Sequence, residues 1–254
     1  MKQSNPFETF FRDPVYLDLK NHLYNYQRRR DEILRFTDAR SGTIVEVGSG
    51  ISPIIPAERQ PIYSDTSEEA MRHLKAATGV PVLVSSATEI ALANECVSMV
   101  VCSEVIEHIK DDHAALREMA RILGPRGELI LTVPAHPYYF SSDDRFVQHW
   151  RRYKITELVK TLSDIGFENF DVVKVAGPLE KITMIFAISL FRVVRPVLGA
   201  AGKKSKLPPV LKLLLPLYKK ANGLYCLLIK AEASIIPLSL ATIVLIRCRK
   251  SSNL

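Results

Sequence analysis

The segment Thr43-Ile44-Val45-Glu46-Val47-Gly48-Ser49-Gly50 constrains this chain more than any other. A β-branched apolar run ends in an acid, then in two glycines one residue apart. Such a run is a buried parallel strand breaking into a tight loop, where a ligand can approach bare backbone. Pro61-Ile62-Tyr63-Ser64-Asp65 repeats the pattern of an apolar strand ending in an acid. An acid at the tip of a second strand is where nucleotide-type α/β folds hold a ribose diol.

The rest of the chain keeps the rhythm these two strands set. Strand-like runs lie at 43–47, 61–64, 81–84, 97–102, 128–133 and 170–176. Helical stretches separate them: Ser67 to Ala77, Asp111 to Leu123, and Thr156 to Ile165. Apolar Ala115, Leu116, Met119, Ala120 and Leu123 have the spacing of one buried helix face. Gly124-Pro125-Arg126-Gly127 is expected to stop that helix and turn the chain into the next strand. Residues 1–40 read as a helical lead-in, with a helix from Tyr24 to Phe36. Alternation of this kind predicts a doubly wound α/β sheet, with the ligand at the carboxyl ends of its central strands.

Residues 178–239 break the alternation. Ile182–Phe191 is apolar, Lys203-Lys204-Ser205-Lys206 is a basic loop, and Leu207 to Ile236 mixes Leu-rich turns with Lys212, Lys219, Lys220 and Lys230. Residues 179–254 hold 13 Lys or Arg against 2 Asp or Glu; the body before them holds 21 against 25. A mildly acidic body thus carries a strongly basic, Leu-rich segment, which suits an anionic membrane surface. It is too poor in aromatic stacking residues for a nucleic-acid groove. No run reaches the ~18 charge-free apolar residues that span a bilayer. Leu240 to Ile246, followed by Arg247, Arg249 and Lys250, reads as a last strand returning to the sheet. Cys96, Cys102, Cys226 and Cys248 show no disulfide or zinc spacing, and the first residues lack a signal-peptide pattern. A cytoplasmic protein, peripheral on the inner face of the membrane, is expected.

A lone glycine pair permits many cofactors. Pro53 stands where a dinucleotide fingerprint needs a third glycine, which counts against NAD. Two further segments are more specific: Cys102-Ser103-Glu104-Val105-Ile106-Glu107-His108-Ile109-Lys110-Asp111, and Glu118 through Gly124-Pro125-Arg126-Gly127 to Pro134. With the glycine loop and Asp65, they resemble the class I S-adenosylmethionine-dependent methyltransferases, in the broad small-molecule group related to the ubiquinone and menaquinone methylases. The resemblance covers residues 40–177 and resumes at 240–250. It implies a seven-stranded Rossmann-like sheet, six strands parallel and the last antiparallel; the apolar, basic segment reads as a helical insertion before that last strand, serving as a lid, a dimer interface or a membrane-surface cap. It implies a core over 41–177, an insertion over 178–239 and a final strand and tail over 240–254.

The resemblance also implies roles. Glu46, Gly48 and Gly50 would line the methionine end of S-adenosylmethionine, and Asp65 would bind its ribose hydroxyls. Ser86 and Ala87 would lie beside the adenine, where the family usually has an acid at the position of Ser86. Ser103 and Glu104 would sit beside the sulfonium. Glu107-His108 reads as a charged helix start with a surface histidine.

The acceptor wall is expected after the fifth strand, over Val133 to Phe140, Asp143-Asp144-Arg145 and Gln148 to Tyr153. Asp-x-x-x-x-His-x-Arg-Arg-Tyr segments occur in many members of the group, here matching Asp144, His149, Arg151, Arg152 and Tyr153. Transfer to a hydroxyl needs a base; His149 is the first candidate and His136 the second. Arg151 and Arg152 could clamp a phosphate or carboxylate, with Tyr153 beside them and Asp144 orienting. No metal-ligand spacing is visible, and no metal is expected. The reading is a methyltransferase acting on a small or lipid-linked acceptor, at oxygen first, with carbon or nitrogen methylation fitting nearly as well. Its rival is a non-catalytic membrane-surface module that keeps the cofactor fold.

Overall fold

A computed structural model describes residues 23–37, 42–186, 189 and 209–252. The expected basic loop at Lys203 to Lys206 and the first part of the lead-in lie outside the described residues. Seven strands form one sheet: β1 Ile44–Val47, β2 Ile62–Asp65, β3 Val82–Val84, β4 Val97–Ser103, β5 Leu123–Pro134, β6 Phe167–Ala176 and β7 Ile243–Lys250. Their order is β3-β2-β1-β4-β5-β7-β6. The ladders β3–β2–β1–β4–β5 are parallel, while β7 runs antiparallel to both neighbours. This is the expected doubly wound sheet with an antiparallel last strand.

The helices are α1 Tyr24–Thr37, α2 Glu68–Thr78, α3 Asp112–Ile122, α4 Ser142–Phe146, α5 Ile155–Ile165, α6 over 178–186, and α7 Pro209–Ile235. The face of α3 expected from its spacing is the one it buries, with Ala115, Leu116, Met119 and Ala120 packed against Leu129, Leu131 and Val133. α5 joins the same layer through Ile155, Leu158 and Leu162. On the opposite face, Tyr24, Tyr26 and Ile33 of α1 meet Met99, Val101, Ile130 and Leu245, together with Cys226 and Ile229 of α7. Strands buried on both faces explain the near-continuous apolar runs. Ser67 caps α2 by accepting from Ala70 N at 3.2 Å, and Gly79 ends it in a left-handed turn at φ 75°.

Two boundaries differ from the sequence reading. The chain leaves α3 directly into β5 at Leu123, and the 124–127 turn is looped out within that strand. Val97 pairs with Leu123 and Met99 with Glu128, so the ladder skips the turn. A Cβ at Gly127 would lie 2.8 Å from Gly124 O, a close approach only glycine permits. The last strand starts at Ile243 and runs through the charged residues expected to cap it. Arg247 and Arg249 bond the buried Glu128 of β5, Arg247 also reaches Asp171 of β6, and Lys250 reaches Glu95. Cross-strand partners let cations continue a ladder that composition alone would end.

In α7, Asn222, Cys226, Ile229 and Ala233 form the buried stripe. Leu217, Leu224, Leu227, Leu228 and Ile235 point outward, each more than half exposed. Among the described residues, no helix is long and apolar enough to cross a membrane.

Candidate active site

The carboxyl ends of β1, β2 and β4 meet at the glycine loop. Gly48 and Gly50 take left-handed φ of 72° and 56°. Gly48 and Ser49 donate their backbone N–H groups to Ser64 O at 2.7 and 3.1 Å, which pins the loop to β2. A Cβ on Gly48 would stand 2.3 Å from a methyl of Val105, so the loop lies directly on the chain leaving β4. The Asp65 carboxylate accepts from Gly50 N at 2.9 Å and Ser67 N at 2.8 Å. Two backbone donors therefore aim it at the mouth of the glycine loop.

Glu46 sits one step below this rim. It is buried, and its two oxygens accept from Ile54 N at 2.7 Å and Ile55 N at 2.8 Å. Its described bonds hold the loop that follows the glycines. Ser86 bonds Thr88 through its hydroxyl at 2.8 Å, beside buried Ala87. Ser103 bonds Thr132 at 2.8 Å, and Glu104 takes φ 54° with its N–H on Thr132 O.

Sequence reasoning missed the part played by α1. Tyr26 donates to Pro53 O at 2.7 Å, clasping the glycine loop. Arg29 brings Nη1 to 4.0 Å from Glu104 Oε2. Arg29 Nε and Glu104 Oε1 are buried without a hydrogen-bond partner. Such uncompensated groups cost free energy unless a ligand meets them. The family's cofactor has an amino group and a carboxylate at its methionine end, which suit these two groups. Nothing local to the α1 sequence signals this, because the partners lie 27 residues on for Tyr26 and 75 for Arg29.

On the acceptor side, Asp144 is a hub. It accepts from His149 Nδ1 at 3.0 Å, Arg152 Nε at 2.8 Å and Lys181 Nζ at 2.7 Å. Lys181, 38 residues beyond Asp143, also bonds both oxygens of that neighbour. Hydrogen bonds from His149, Arg152 and Lys181 outweigh burial and hold the Asp144 carboxyl well below the usual carboxylate range. Arg152 is itself buried and adds bonds to Ala135 O and Thr242 O. Arg151 pairs with Asp112 at 2.9 Å and with Lys110 O, and Tyr153 donates to the other Asp112 oxygen at 2.7 Å. The expected acceptor clamp is thus committed to intraprotein partners: these residues brace the wall. His136 bonds Leu238 O through Nε2 at 2.9 Å, and Tyr138 and Tyr139 donate to Ser239 O and Leu240 O. That ties the wall to the link between α7 and β7.

Glu107 and His108 depart furthest from the sequence reading. Glu107 is fully buried, and neither carboxylate oxygen bonds another residue. His149 Nε2 stands 3.7 Å from Glu107 Oε1, and His108 Nε2 stands 4.0 Å from the same oxygen. Burial, then the charge of Glu104, pushes the Glu107 carboxyl well above its usual range. Burial, then His149, pushes the His108 imidazole down to about 4, which keeps it neutral near pH 7. Glu107 enters the site because the turn after β4 folds inward: Trp150 N donates to Glu107 O at 2.8 Å and draws the two segments together.

Glu180 of α6 lies behind this wall, bonded to Thr242 Oγ1 at 2.9 Å. Burial pushes its carboxyl up to about 7, against the pull of Thr242, Arg152 and Lys181. A raised folded value makes Glu180 most stabilising when protonated. Stability should fall as pH rises from the unfolded value of ~4.3 through about 7, by roughly 4 kcal/mol. Glu180→Gln should therefore melt with the parent at pH 5 and clearly above it at pH 8; a gap that does not widen with pH would refute the assignment.

The comparisons agree with this geometry. Residues 45–131 match the methyltransferase domain family. A probable S-adenosylmethionine-dependent methyltransferase of Mycobacterium tuberculosis is 32% identical over 123 residues, covering 47% of this chain and 45% of that protein. The chain therefore spans just under half the length of that curated relative. A probable S-adenosylmethionine-dependent methyltransferase of Mycolicibacterium smegmatis is 28% identical over 161 residues, covering 59% of this chain and 63% of that protein. Among solved structures, a possible histamine N-methyltransferase of Thermotoga maritima superposes with a TM-score of 0.62 at 17% identity, covering 96% and 99%. Phosphoethanolamine N-methyltransferase 2 of Haemonchus contortus, in complex with S-adenosylmethionine, gives 0.59 at 17%, covering 98% and 61%. A glycine loop aimed by β2, an acid at the β2 tip, and a sheet closing on an antiparallel β7 agree with the match of residues 45–131 to the methyltransferase domain and with the S-adenosylmethionine-dependent methyltransferases this chain resembles.

Proposed function

We propose that this chain transfers the methyl group of S-adenosylmethionine to an oxygen of a small or lipid-linked acceptor at an anionic membrane surface. The observation that carries the reading is the His149–Asp144 pair at the mouth of β4. The Asp144 carboxylate accepts from Nδ1 and so turns Nε2 toward Glu107. S-adenosylmethionine supplies an electrophilic methyl on a sulfonium. As the acceptor oxygen bonds that carbon, the carbon–sulfur pair passes to sulfur, and the hydroxyl proton leaves to a base. The Glu107–His149 group is the one positioned to help that proton leave. Holding donor and acceptor in line does much of the remaining work.

The lipid half of the reading rests on α7. Its outward face sets Leu217, Leu224, Leu227, Leu228 and Ile235 beside exposed Lys220 and Lys230. Apolar side chains flanked by lysines suit the headgroup boundary of anionic lipid. The link after α7 is bonded to His136, Tyr138 and Tyr139, so a surface engaged by α7 is continuous with the acceptor wall.

Incubation with methyl-tritiated S-adenosylmethionine and anionic vesicles carrying isoprenoid alcohols and phenols should place label in the organic phase. Hot hydriodic acid should then release it as methyl iodide, which marks an ether. Asp65→Ala should lower donor affinity by about tenfold or more, since a charge-assisted bond contributes roughly 1.5–3 kcal/mol. Failure of the unaltered chain to bind either the donor or its demethylated product at millimolar concentration would defeat the enzymatic reading.

A further inference from the structure

We propose that Glu107, His108 and His149 form a binding site for one first-row divalent transition cation, of the Mn²⁺-to-Zn²⁺ class. Their ligand atoms all lie within 4.8 Å of one another. Two of the spacings are 3.7 and 4.0 Å, and both run from an imidazole Nε2 to the same oxygen, Glu107 Oε1. Those lengths are too long for hydrogen bonds. They are the lengths expected when ligands share an ion: bonds of ~2.1 Å put neighbouring donors roughly 3.0–4.2 Å apart. The third spacing, between the two imidazoles, falls within the same 4.8 Å.

The burial of Glu107 is the independent observation. Its side chain is 0% exposed, and neither oxygen bonds another residue. A carboxylate so placed is uncompensated, and a protonated acid there would have no acceptor for its proton. A cation between Glu107 and the two imidazoles removes both difficulties. The second layer is also in place. His149 Nδ1 is held by Asp144 at 3.0 Å, which fixes the tautomer with Nε2 free to coordinate. Asp144 is held in turn by Arg152 and Lys181. Two imidazoles with one carboxylate favour borderline transition cations over Mg²⁺, which prefers oxygen ligands.

Three protein ligands leave positions open. An acceptor hydroxyl entering one of them would lose its proton more readily and be held beside the β4 mouth. That role rests on the oxygen-acceptor reading above; the binding site itself does not. His149 is then a ligand, and the proton of the bound hydroxyl passes to solvent water.

The test is calorimetry of the full chain, freed of metal by chelator, against Co²⁺, Zn²⁺ and Mg²⁺ without methyl donor or acceptor. One Co²⁺ should bind per chain at micromolar or tighter affinity, with a visible absorption band from nitrogen ligation, and Mg²⁺ should bind at least about 100-fold more weakly. Glu107→Gln, which keeps size and shape, should weaken Co²⁺ at least tenfold and bleach the band. His108→Gln provides a second variant, and metal-free melting curves establish that each is folded. Binding weaker than about 1 mM in the parent, or unchanged affinity in the folded variants, would overturn the site; a preference for Mg²⁺ would overturn the assigned cation class. S-adenosylmethionine affinity measured on the same samples separates loss of this site from loss of the donor site.

Discussion

Asp144→Ala is expected to lower unfolding stability by about 3–5 kcal/mol in urea titrations, because it strands buried cations. Arg152 would lose its 2.8 Å partner, leaving Asp143 at 3.9 Å as its nearest carboxylate. Lys181 would keep Asp143 but lose one of its three bonds. All these groups are at most 8% exposed in their side chains, so water cannot replace what is removed. The double variant Asp144→Ala with Arg152→Met should cost clearly less than the sum of the two single changes, since it removes the stranded charge. Asp144→Asn keeps an acceptor for Arg152 and should fall between. The carboxyl is held below its usual range, so its contribution is present above the unfolded value of ~3.9 and is lost only as pH falls through the lower folded value. The variant deficit should therefore stay constant between pH 5 and pH 8. A loss under about 1 kcal/mol would mean that Asp143 alone compensates both cations.

The same residues show where a sequence can be read and where it cannot. The position of Asp65 was legible because it depends on local order: a strand, its tip, and backbone donors two residues on and fifteen residues back. The strand–helix rhythm was legible because alternation acts within short windows, while the antiparallel last strand followed from the resemblance. The jobs of Arg152 and Lys181 were not, because their partners come from α4 and from the segment before β7. An Arg-Arg pair after a strand looks the same whether it faces an acceptor or a buried carboxylate. Glu107 misled for a related reason. Its neighbours His108, Lys110 and Asp111 are polar, so the segment reads as a solvated helix start. Only the docking of Trp150 N on Glu107 O turns that acid inward, against a histidine more than 40 residues away. The end of β7 was misplaced because Glu128, which neutralises Arg247 and Arg249, belongs to another strand.

Gly48→Ala is expected to abolish measurable cofactor binding at ordinary concentrations and to destabilise the fold by about 2–4 kcal/mol. Two penalties add. An L-residue at φ 72° costs about 1–2 kcal/mol. The new Cβ would also lie 2.3 and 2.9 Å from the two Val105 methyls. Rotating Val105 exchanges one methyl for the other, so a rotamer change gives no escape. The loop cannot retreat either, because Gly48 N is bonded to Ser64 O at 2.7 Å and Gly50 N to Asp65. Relief must come from lifting the loop off β4, which moves Asp65 and the backbone that would meet the ribose. Gly79→Ala is the matched control: φ is 75°, and nothing lies within 4 Å of the added Cβ. It should cost the backbone penalty alone, about 1 kcal/mol, and leave donor affinity unchanged. Adding Val105→Ala to Gly48→Ala should recover part of the stability and part of the affinity, but never beyond the Gly79→Ala level of strain. Equal costs for the two glycine changes would show that the loop does not rest on Val105, and the placement of the cofactor against the β4 mouth would fall with it.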